Sequence, residues 1–211
     1  TVAVTGRPAG WCDHIARMWP VDAVVGENGA FYFRYAGGRL QRSYHDASEV
    51  RARNHGRLAG VAASILAAVP GCALAADQPY RETDLAIDYC EDVPPLPLEE
   101  AERIAMLMRE AGLHAKLSSI HVNGWFGDYD KLAMSRRLFA AEFGIDLDRE
   151  REAVVYIGDS PNDAPMFEFF PRSVGVANVK RFAARIATPP KYVTQASSGA
   201  GFAEVVGHLL A

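Results

Sequence analysis

Apolar runs and polar turns alternate along the first part of the chain. Val2–Val4 is a β-branched run that passes at once into Thr5-Gly6-Arg7-Pro8, which predicts a strand ending in a turn. Residues 11–19 predict a helix closed by Pro20, and residues 21–25 predict a second strand. A strand, a helix and a strand in this order are typical of a parallel sheet.

The middle of the chain has a different pattern. FYFRY and RLQRSY, on either side of Gly37-Gly38, predict a hairpin. After it, the apolar periodicity predicts a helix, two strands, a helix and one or two further strands: residues 48–69, 74–76, 85–89, 101–108 and 115–126. This order describes a small α+β unit inserted into an α/β frame.

From Lys131 onward the alternation of the frame resumes. Met134, Leu138 and Ala141 share a helical face, and Gly144 ends that helix. The elements predicted after it are two strands, a helix, a strand and a last helix: residues 153–157, 173–178, 179–186, 192–194 and 202–210. We therefore predict an α/β fold, with a frame of residues 1–45 and 128–211 and an inserted domain of residues 46–127.

The bulk composition excludes several classes of protein. The formal net charge is -4 and no basic stripe is present, so nucleic acid is not expected as a partner. No apolar stretch reaches the roughly 18 residues that a membrane span needs, so no membrane partner is expected either. The three cysteines, Cys12, Cys72 and Cys90, have no paired spacing, which fits a reduced, cytoplasmic protein.

The strongest chemical signal is the sequence Gly-Asp-Ser-Pro-Asn-Asp at residues 158–163, between a buried strand and a helix. In open α/β sheets ligands bind at the carboxyl ends of the strands, and a helix N-terminus there favours anions. Asp159 and Asp163 could share a hard cation such as Mg²⁺. The same residues also suit a plain strand-to-helix turn with an aspartate cap.

Three weaker signals place polar groups at turns or at the start of a helix. Thr5 offers a hydroxyl, Gly6 an accessible N–H and Arg7 a fixed charge, which together could hold a phosphate. Such a tetrapeptide is more often a plain turn. Asn28 lies in Glu-Asn-Gly-Ala, another turn sequence, and Lys131 opens a helix, where most lysines are solvated.

Taken in order, these signals resemble the motifs of the haloacid dehalogenase superfamily. That family, and most closely its Cof-like branch, has a strand with Thr-Gly-Arg, then Asn-Gly-Ala, an inserted α+β unit, a helix-opening lysine and a strand with Gly-Asp-Ser-x-Asn-Asp. Gly-Val-Ala-Asn at residues 175–178 and GAGFAEVV near the end fit it too. The resemblance covers nearly the whole chain. It implies a Rossmann-like core with an αββ-αββ cap at residues 46–127.

The resemblance also implies a role for each motif. Thr5 and the N–H of Gly6 would bind the transferring phosphoryl group, and Lys131 would offset the charge on nucleophile and phosphate. Asp159 would be a Mg²⁺ ligand, with Asp163 as a second ligand or its support. A further set would line the phosphate site or orient its groups: Arg7, Asn28, Ser160 and Asn162. Phosphoryl transfer depends mostly on positioning and charge neutralisation, which a metal ion and a lysine supply.

One motif of the family has no counterpart in residues 1–211. In Asp-x-Asp-x-Thr, the first aspartate becomes an aspartyl-phosphate and the second acts as acid and base. The pairs Asp128/Asp130 and Asp84/Asp88 lie at the exit of the inserted unit and within it, so neither is a credible replacement. We therefore expect a strand–helix unit of roughly 30–40 residues upstream. Residues 1–211 alone are expected neither to fold well, for lack of a central strand, nor to hydrolyse phosphoesters.

In this branch the cap supplies substrate specificity. Polar residues of the inserted unit are the candidates for substrate contacts: Arg81, Lys116, Ser118, Ser119, His121 and Asn123. Alternation along the strand places Ser119, His121 and Asn123 on one side. An ordinary solvated sheet face is the alternative for any one of them.

The implied function is that of a Mg²⁺-dependent phosphatase of small phosphorylated metabolites, with sugar phosphates as the first expectation. A mutase of the phosphomannomutase kind shares the cap and the chemistry. A non-catalytic binding protein without a nucleophile is a third alternative. Release of phosphate, as against formation of an isomerised sugar phosphate, separates the first two.

Overall fold

A strand, a helix and a strand open the structure, as the sequence predicts. The computed structural model describes residues 1–211, and β1 (Val2–Val4) pairs in parallel with β2 (Ala23–Gly26). The connecting helix α1 (Ala9–Met18) begins before the predicted start. The reason lies elsewhere in the chain, because the N–H of Ala9 donates to a carboxylate oxygen of Glu27 at 2.9 Å. That bond satisfies an N–H group at the start of the helix for which the neighbouring residues provide no acceptor.

The predicted hairpin completes the first sheet. β3 (Phe31–Ala36) and β4 (Arg39–Tyr44) are antiparallel, and the strand order is β1-β2-β3-β4. Gly37 and Gly38 have φ values of +60° and +75°, which suit a two-residue hairpin turn. In this sheet β1 pairs with β2 alone and is therefore an edge strand.

The inserted segment has the predicted order of helix, strand, strand, helix, strand and strand. Its elements are α2 (Ser48–Ala68), β5 (Ala73–Leu74), β6 (Asp84–Asp88), α3 (Leu98–Glu110), β7 (His114–Leu117) and β8 (His121–Trp125). The strands form a sheet of their own in the order β5-β6-β8-β7, with every neighbouring pair antiparallel. Gly60 lies within α2 and does not interrupt it.

The two faces of this second sheet differ sharply in polarity. Leu85, Ile87 and Val122 point to one face and belong to the apolar core formed with α2 and α3. Because side chains alternate along a strand, the neighbouring residues of β6 and β8 point to the other face. That face carries polar side chains that are nevertheless buried: Asp84, Asp88, His121 and Asn123.

The rest of the chain begins with α4 (Lys131–Leu138), which continues into a π-helical turn, Phe139–Phe143. The elements that follow are α5 (Leu147–Glu150), β9 (Val155–Gly158), α6 (Ala164–Phe169), β10 (Arg172–Gly175), β11 (Tyr192–Val193) and α7 (Ser198–Leu210). The strands form a parallel sheet in the order β11-β10-β9, with β9 at an edge.

The helix predicted over residues 179–186 is a different structure. The segment Ala177–Arg185 consists of 3₁₀ turns rather than a regular α-helix. Its buried residues are Val179 and Phe182, three positions apart. A 3₁₀-helix has about three residues per turn, so this spacing keeps both side chains on the buried side.

The chain divides into two compact units, residues 1–138 and residues 139–211. Within the first unit the two sheets have separate apolar cores. The predicted α/β class is confirmed, whereas the division into a frame of residues 1–45 and 128–211 and a cap of residues 46–127 stays a prediction. None of the helices combines the length and the apolar character that crossing a bilayer requires.

Candidate functional site

The Thr-Gly-Arg segment forms a tight loop at the carboxyl end of β1. The N–H of Thr5 donates to the carbonyl of Val25 at 2.9 Å, which extends the β1–β2 ladder by one residue. The backbone then turns, and the N–H of Arg7 donates back to the Thr5 hydroxyl oxygen at 3.1 Å. A hydroxyl that accepts through a lone pair keeps its own proton for another acceptor. The loop thus offers a hydroxyl donor where α/β sheets bind ligands.

The Glu-Asn-Gly turn after β2 holds this loop in place. The N–H of Asn28 donates to the carbonyl of Thr5 at 3.2 Å, and the N–H of Glu27 donates to the carbonyl of Arg7 at 3.1 Å. The Asn28 side chain lies so close to Gly6 that a Cβ on Gly6 would be 3.1 Å from Asn28 Oδ1. Asn28 therefore shapes the loop through both its backbone and its side chain.

The same turn also holds the start of α4. Gly29 has a φ of +110°, and a Cβ on it would lie 2.8 Å from the backbone nitrogen of Lys131 and nearer still to the carbonyl of Asp130. Glu27 and Asn28 have φ values of 42° and 56°, a conformation that residues other than glycine adopt at a cost. Lys131 is buried. One strained turn therefore contacts both the Thr5 loop and the helix start at Lys131.

Arg81 is enclosed by protein groups and has 4% of its surface exposed. Its guanidinium donates to Asp77 Oδ1 from Nε at 3.0 Å and to Asp84 Oδ1 from Nη1 at 2.9 Å. Nη1 also donates to the carbonyl oxygen of Gly6 at 2.8 Å. A side chain of the inserted segment therefore bonds directly to the Thr-Gly-Arg loop.

Arg7 lies at the border of the loop and the inserted segment and is half-buried. Its guanidinium donates to Glu91 Oε1 at 2.8 Å and to Asp77 Oδ2 at 3.1 Å. It also lies over the ring of Trp11, 4.7 Å from the ring centre. Two carboxylates of the inserted segment thus balance the charge of Arg7.

Asn123 and His121 lie on the buried polar face of the second sheet. Nδ2 of Asn123 donates to Asp84 Oδ2 at 3.1 Å, and Nδ2 of Asn28 lies 3.4 Å from the same oxygen. Nε2 of His121 lies 2.9 Å from Glu91 Oε2 but lacks the alignment of a hydrogen bond. Burial, with the positive charge of Arg81, lowers the pKa of His121.

Lys116 and Ser119 lie elsewhere on the inserted segment. Lys116 is exposed on β7. Ser119 lies in the turn between β7 and β8, outside the alternation that joins His121 and Asn123 on one face. Its carbonyl oxygen lies 3.5 Å from the thiol of Cys90. Asn123 and His121 on β8 are therefore nearer to the Thr-Gly-Arg loop than Lys116 and Ser119. Asn123 bonds to Asp84, and His121 lies beside Glu91.

In the second unit, Asp163 organises the Gly-Asp-Ser-Pro-Asn-Asp loop. One carboxylate oxygen accepts from the N–H of Asp159 at 2.9 Å and from the N–H of Ser160 at 3.2 Å. The other accepts from the hydroxyl of Tyr156 at 2.7 Å. Gly158 permits this arrangement, because a Cβ there would lie 2.7 Å from Asp163 Oδ2. Asp163 is buried and faces donors on both of its oxygens.

Asp159 follows β9 directly and is only half-buried. Its Oδ2 accepts from Nδ2 of Asn178 at 3.2 Å, and Oδ1 of Asn178 accepts from the N–H of Ser198 at 2.9 Å. Asn162 is buried, and its Oδ1 accepts from the Ser160 hydroxyl at 2.7 Å. The loop therefore presents the carboxylate of Asp159 on a backbone that Asp163 and Asn162 fix.

Solved structures with the same fold cover almost the whole chain. Thermoplasma acidophilum protein 0175 matches 99% of this chain and 82% of its own, with a TM-score of 0.69 and 17% identity. The sucrose-phosphatase of Synechocystis, solved with sucrose and phosphate, matches 98% and 83%, with a TM-score of 0.65 and 15% identity. A subclass IIB sugar phosphatase matches 99% and 84%, with a TM-score of 0.60 and 14% identity. At such identities the likeness establishes the fold.

The family model of haloacid dehalogenase-like hydrolases matches residues 139–206, which include the loop of Asp159. The match covers 68 of the 211 residues. The comparison with curated proteins finds no match.

The oxygen donors of the Gly-Asp-Ser-Pro-Asn-Asp loop suit a hard cation at Asp159. Mg²⁺ is commonly held through one or two carboxylates, with waters and substrate oxygens completing its octahedron. Asp159 offers a half-buried carboxylate whose orientation Asn178 fixes. Asp163 instead faces amide and hydroxyl donors. These contacts favour Asp159 as the ligand and Asp163 as its support.

Glu27 is a candidate functional residue that was not predicted from the sequence. Its side chain is fully buried and accepts from the N–H groups of Ala9, Glu82 and Thr83, and from the Thr83 hydroxyl. Burial and the nearby carboxylate of Asp84 raise its pKa to about 7. Glu27 thus joins the start of α1 to the chain entering β6. In the sequence, only the position of a glutamate directly after an apolar strand signals this role.

Glu27→Gln is expected to destabilise the protein by about 3 kcal/mol, because the amide NH₂ would face backbone donors in a buried site. The loss should depend on pH. Between the ordinary pKa of 4.5 and the folded value of about 7, the unfolded chain has released the proton of Glu27 and the folded protein keeps it. Raising the pH through this window therefore removes stability from the wild type but not from the variant.

Urea unfolding of wild type and variant at pH 5 and pH 8 measures both effects. The cost of Glu27→Gln should be larger at pH 5 than at pH 8. Glu110→Gln, at an exposed position of α3, is the control and should change little at either pH. A cost of Glu27→Gln that grows as the pH rises would contradict the raised pKa.

Proposed function

We propose that the protein is a Mg²⁺-dependent phosphohydrolase of small phosphorylated metabolites, with sugar phosphates as its main substrates. The observation that carries this proposal is the turn at residues 27–29. It contacts the loop of Thr5 and Gly6 on one side and the helix start at Lys131 on the other. A hydroxyl, an amide and an ammonium group held by one turn are the donor set that a phosphoryl group requires.

Each donor has a separate task in this proposal. The Thr5 hydroxyl and the Gly6 N–H hold phosphoryl oxygens, and the ammonium of Lys131 offsets the negative charge that the reaction concentrates. Phosphoryl transfer gains mostly from positioning and charge stabilisation, so fixed donors contribute more than mobile ones. The hydrogen bonds of Asn28 and Glu27 to the loop supply that fixation.

The metal ligand from this chain is Asp159. A bound Mg²⁺ would supply the positive charge that phosphoryl transfer requires. Asp163 keeps the backbone of residues 159 and 160 in place through its two hydrogen bonds. Asn178 fixes the carboxylate of Asp159 in turn.

The nucleophile is proposed to be an aspartate outside residues 1–211. The carboxylates within the chain that resemble the missing motif are engaged in other tasks. Asp84 is bonded to Arg81 and Asn123, and Asp88 accepts from the N–H groups of residues 90–92. Asp130 Oδ1 accepts from the N–H of Ala133 in the first turn of α4.

The inserted segment, residues 46–127, is proposed to act as the cap that selects the substrate. Its buried polar face bears His121 and Asn123. The segment contacts the Thr-Gly-Arg loop through Arg81 and the turn at residues 27–29 through Asp84. The structural relatives include a sucrose-phosphatase and a subclass IIB sugar phosphatase, which supports sugar phosphates as the substrate class.

The proposal is tested with the full-length protein and a panel of phosphate esters. Hexose phosphates and a disaccharide phosphate are compared with phosphoserine and p-nitrophenyl phosphate, in Mg²⁺ and in excess chelator. We expect phosphate release from the sugar phosphates that the chelator abolishes and added Mg²⁺ restores. Conversion of a hexose phosphate into its isomer without phosphate release would establish a mutase instead, and inertness toward every ester would refute catalysis.

Lys131→Met is expected to lower kcat/KM by about 100-fold, because it removes the charge that offsets the transition state. The fold should remain, since the methionine preserves the length of the buried stem. Thermal unfolding of the same preparation checks this. Lys180→Met, in the exposed part of the second unit, is the matched control and should keep full activity. If kcat/KM were unaltered in Lys131→Met, Lys131 would not take part in the reaction.

A further inference from the structure

Arg81 is a buried arginine whose environment differs from that of a substrate-binding side chain. Its side chain is 1% exposed, and its partners Asp77 and Asp84 are themselves buried. Asp77 accepts from Nε and from Nη2 of the guanidinium in a forked arrangement, at 3.0 Å and 3.1 Å. The charge and the orientation of Arg81 are thus fixed by the protein before any ligand arrives.

Nη1 of Arg81 has two hydrogens and two partners on different parts of the chain. Asp84 Oδ1, on β6, accepts at 2.9 Å, and the carbonyl oxygen of Gly6 accepts at 2.8 Å. A hydrogen bond from a charged donor is roughly twice as strong as a neutral one. The bond to Gly6 is therefore a strong tie between the inserted segment and the loop after β1.

The carbonyl that Arg81 holds belongs to the peptide plane between Gly6 and Arg7. The N–H of that same plane donates to the Thr5 hydroxyl oxygen at 3.1 Å. Because a peptide unit is planar, fixing the carbonyl at one end fixes the direction of the N–H at the other. The N–H in turn occupies a lone pair of the Thr5 hydroxyl and directs its proton away from the loop.

We infer that Arg81 is a positioning residue that sets the Thr5 hydroxyl for phosphate binding through the Gly6–Arg7 peptide. This inference rests on the proposed function for the role of Thr5 but not for the geometry of the loop. Arg81 contacts no substrate. Its effect is the same for every phosphate ester, because it acts on the group that binds the phosphate and not on the leaving group.

A consequence is that the loop is completed by the inserted segment. The fork on Asp77 and the bond to Asp84 hold Arg81 as part of that segment. The loop after β1 therefore attains its fixed geometry when residues 77–84 lie against it. Selection of substrate and binding of phosphate are coupled through one guanidinium.

Arg81→Lys in the full-length protein tests the inference, because lysine keeps the charge but lacks the fork that binds two carboxylates and a carbonyl together. Inhibition by inorganic phosphate should weaken about tenfold, and kcat/KM should fall about tenfold for sugar phosphates and p-nitrophenyl phosphate alike. Arg103→Lys, on the exposed side of α3, is the matched control and should change neither value. A loss confined to sugar phosphates would mean that Arg81 binds the sugar, and would overturn the inference.

A double-mutant cycle with Thr5→Val separates positioning from general destabilisation. If Arg81 acts through Thr5, adding Arg81→Lys to Thr5→Val should weaken phosphate inhibition no further. Additive losses from the two substitutions would overturn the inference. Hydrogen exchange adds a readout that needs no catalysis.

In Arg81→Lys, the amide of Arg7 should exchange at least about tenfold faster, while the amides of β6 and β8 keep their protection. Unchanged exchange at Arg7 would overturn the inference. If the wild-type protein hydrolyses no phosphate ester, the proposed function is wrong. The exchange rate at Arg7 then still tests whether Arg81 fixes the loop.

Discussion

Asp159→Asn in the full-length protein is expected to reduce Mg²⁺-dependent turnover by at least about 1,000-fold. The substitution removes a negative charge from the carboxyl edge of β9 and leaves the shape of the side chain intact. Asparagine keeps an oxygen to accept from Asn178, so the loop should hold its conformation. Calorimetric titration with Mg²⁺ should show a loss of affinity that parallels the loss of turnover. Unaltered Mg²⁺ affinity would remove Asp159 from the metal site.

Asp163→Asn provides the contrast within the same loop. Asparagine would present an NH₂ group to backbone N–H groups or to the Tyr156 hydroxyl, which Asp163 now binds as an acceptor. We therefore expect Asp163→Asn to lower the melting temperature as well as Mg²⁺ affinity, whereas Asp159→Asn changes affinity alone. Glu152→Gln, exposed in the same unit, is the control and should alter neither quantity.

Gly29→Ala is expected to destabilise the protein by more than about 4 kcal/mol and to abolish turnover. Two effects add at this position. A φ of +110° strains any residue with a Cβ, and the added methyl would collide with the backbone of Asp130 and Lys131. The obstacle is main chain, which cannot rotate away as a side chain can. The helix start at Lys131 would have to move off the turn at residues 27–29.

Gly60→Ala is the matched control for this substitution. Gly60 lies inside α2, and a Cβ there would meet no neighbouring atom. Alanine should therefore stabilise the protein by roughly 0.5–1 kcal/mol, the difference in helix propensity. Urea unfolding measures both variants. If Gly29→Ala were as stable as Gly60→Ala, the close packing of the 27–29 turn on α4 would be wrong.

Much of the fold follows from local pattern. The order of helices and strands in the inserted segment, the hairpin at Gly37-Gly38 and the strand before Asp159 are all where the apolar periodicity predicts them. Local chemistry decides these elements, since glycines supply the turns and alternation separates the two faces of each strand. The 3₁₀ turns at residues 177–185 were not predicted, because two buried residues three apart fit either kind of helix.

The partners of buried charges could not be predicted in this way. Glu27 bonds Thr83 across 56 positions, and Arg81 bonds Gly6 across 75. Nothing near Arg81 in the sequence distinguishes an arginine that binds substrate from one that two aspartates enclose. Asn178, which holds Asp159, lies 19 positions away and was noted only as part of a family pattern. Such pairings depend on the tertiary arrangement, which periodicity does not encode.

The buried bonds between the inserted segment and the loops after β1 and β2 limit how this protein can be recombined. The pairs that cross that boundary include Gly6–Arg81, Arg7–Asp77, Arg7–Glu91, Glu27–Glu82, Glu27–Thr83 and Asn28–Asp84. A cap from another protein, joined at residues 46 and 127, would lack the residues of the inserted segment that form these pairs. Glu27 would then be a buried carboxylate stripped of most of its donors, and the chimaera would be unstable whatever the fit of its linkers. A stable chimaera would also need the segments equivalent to residues 5–7 and 27–29 from the protein that supplies the cap.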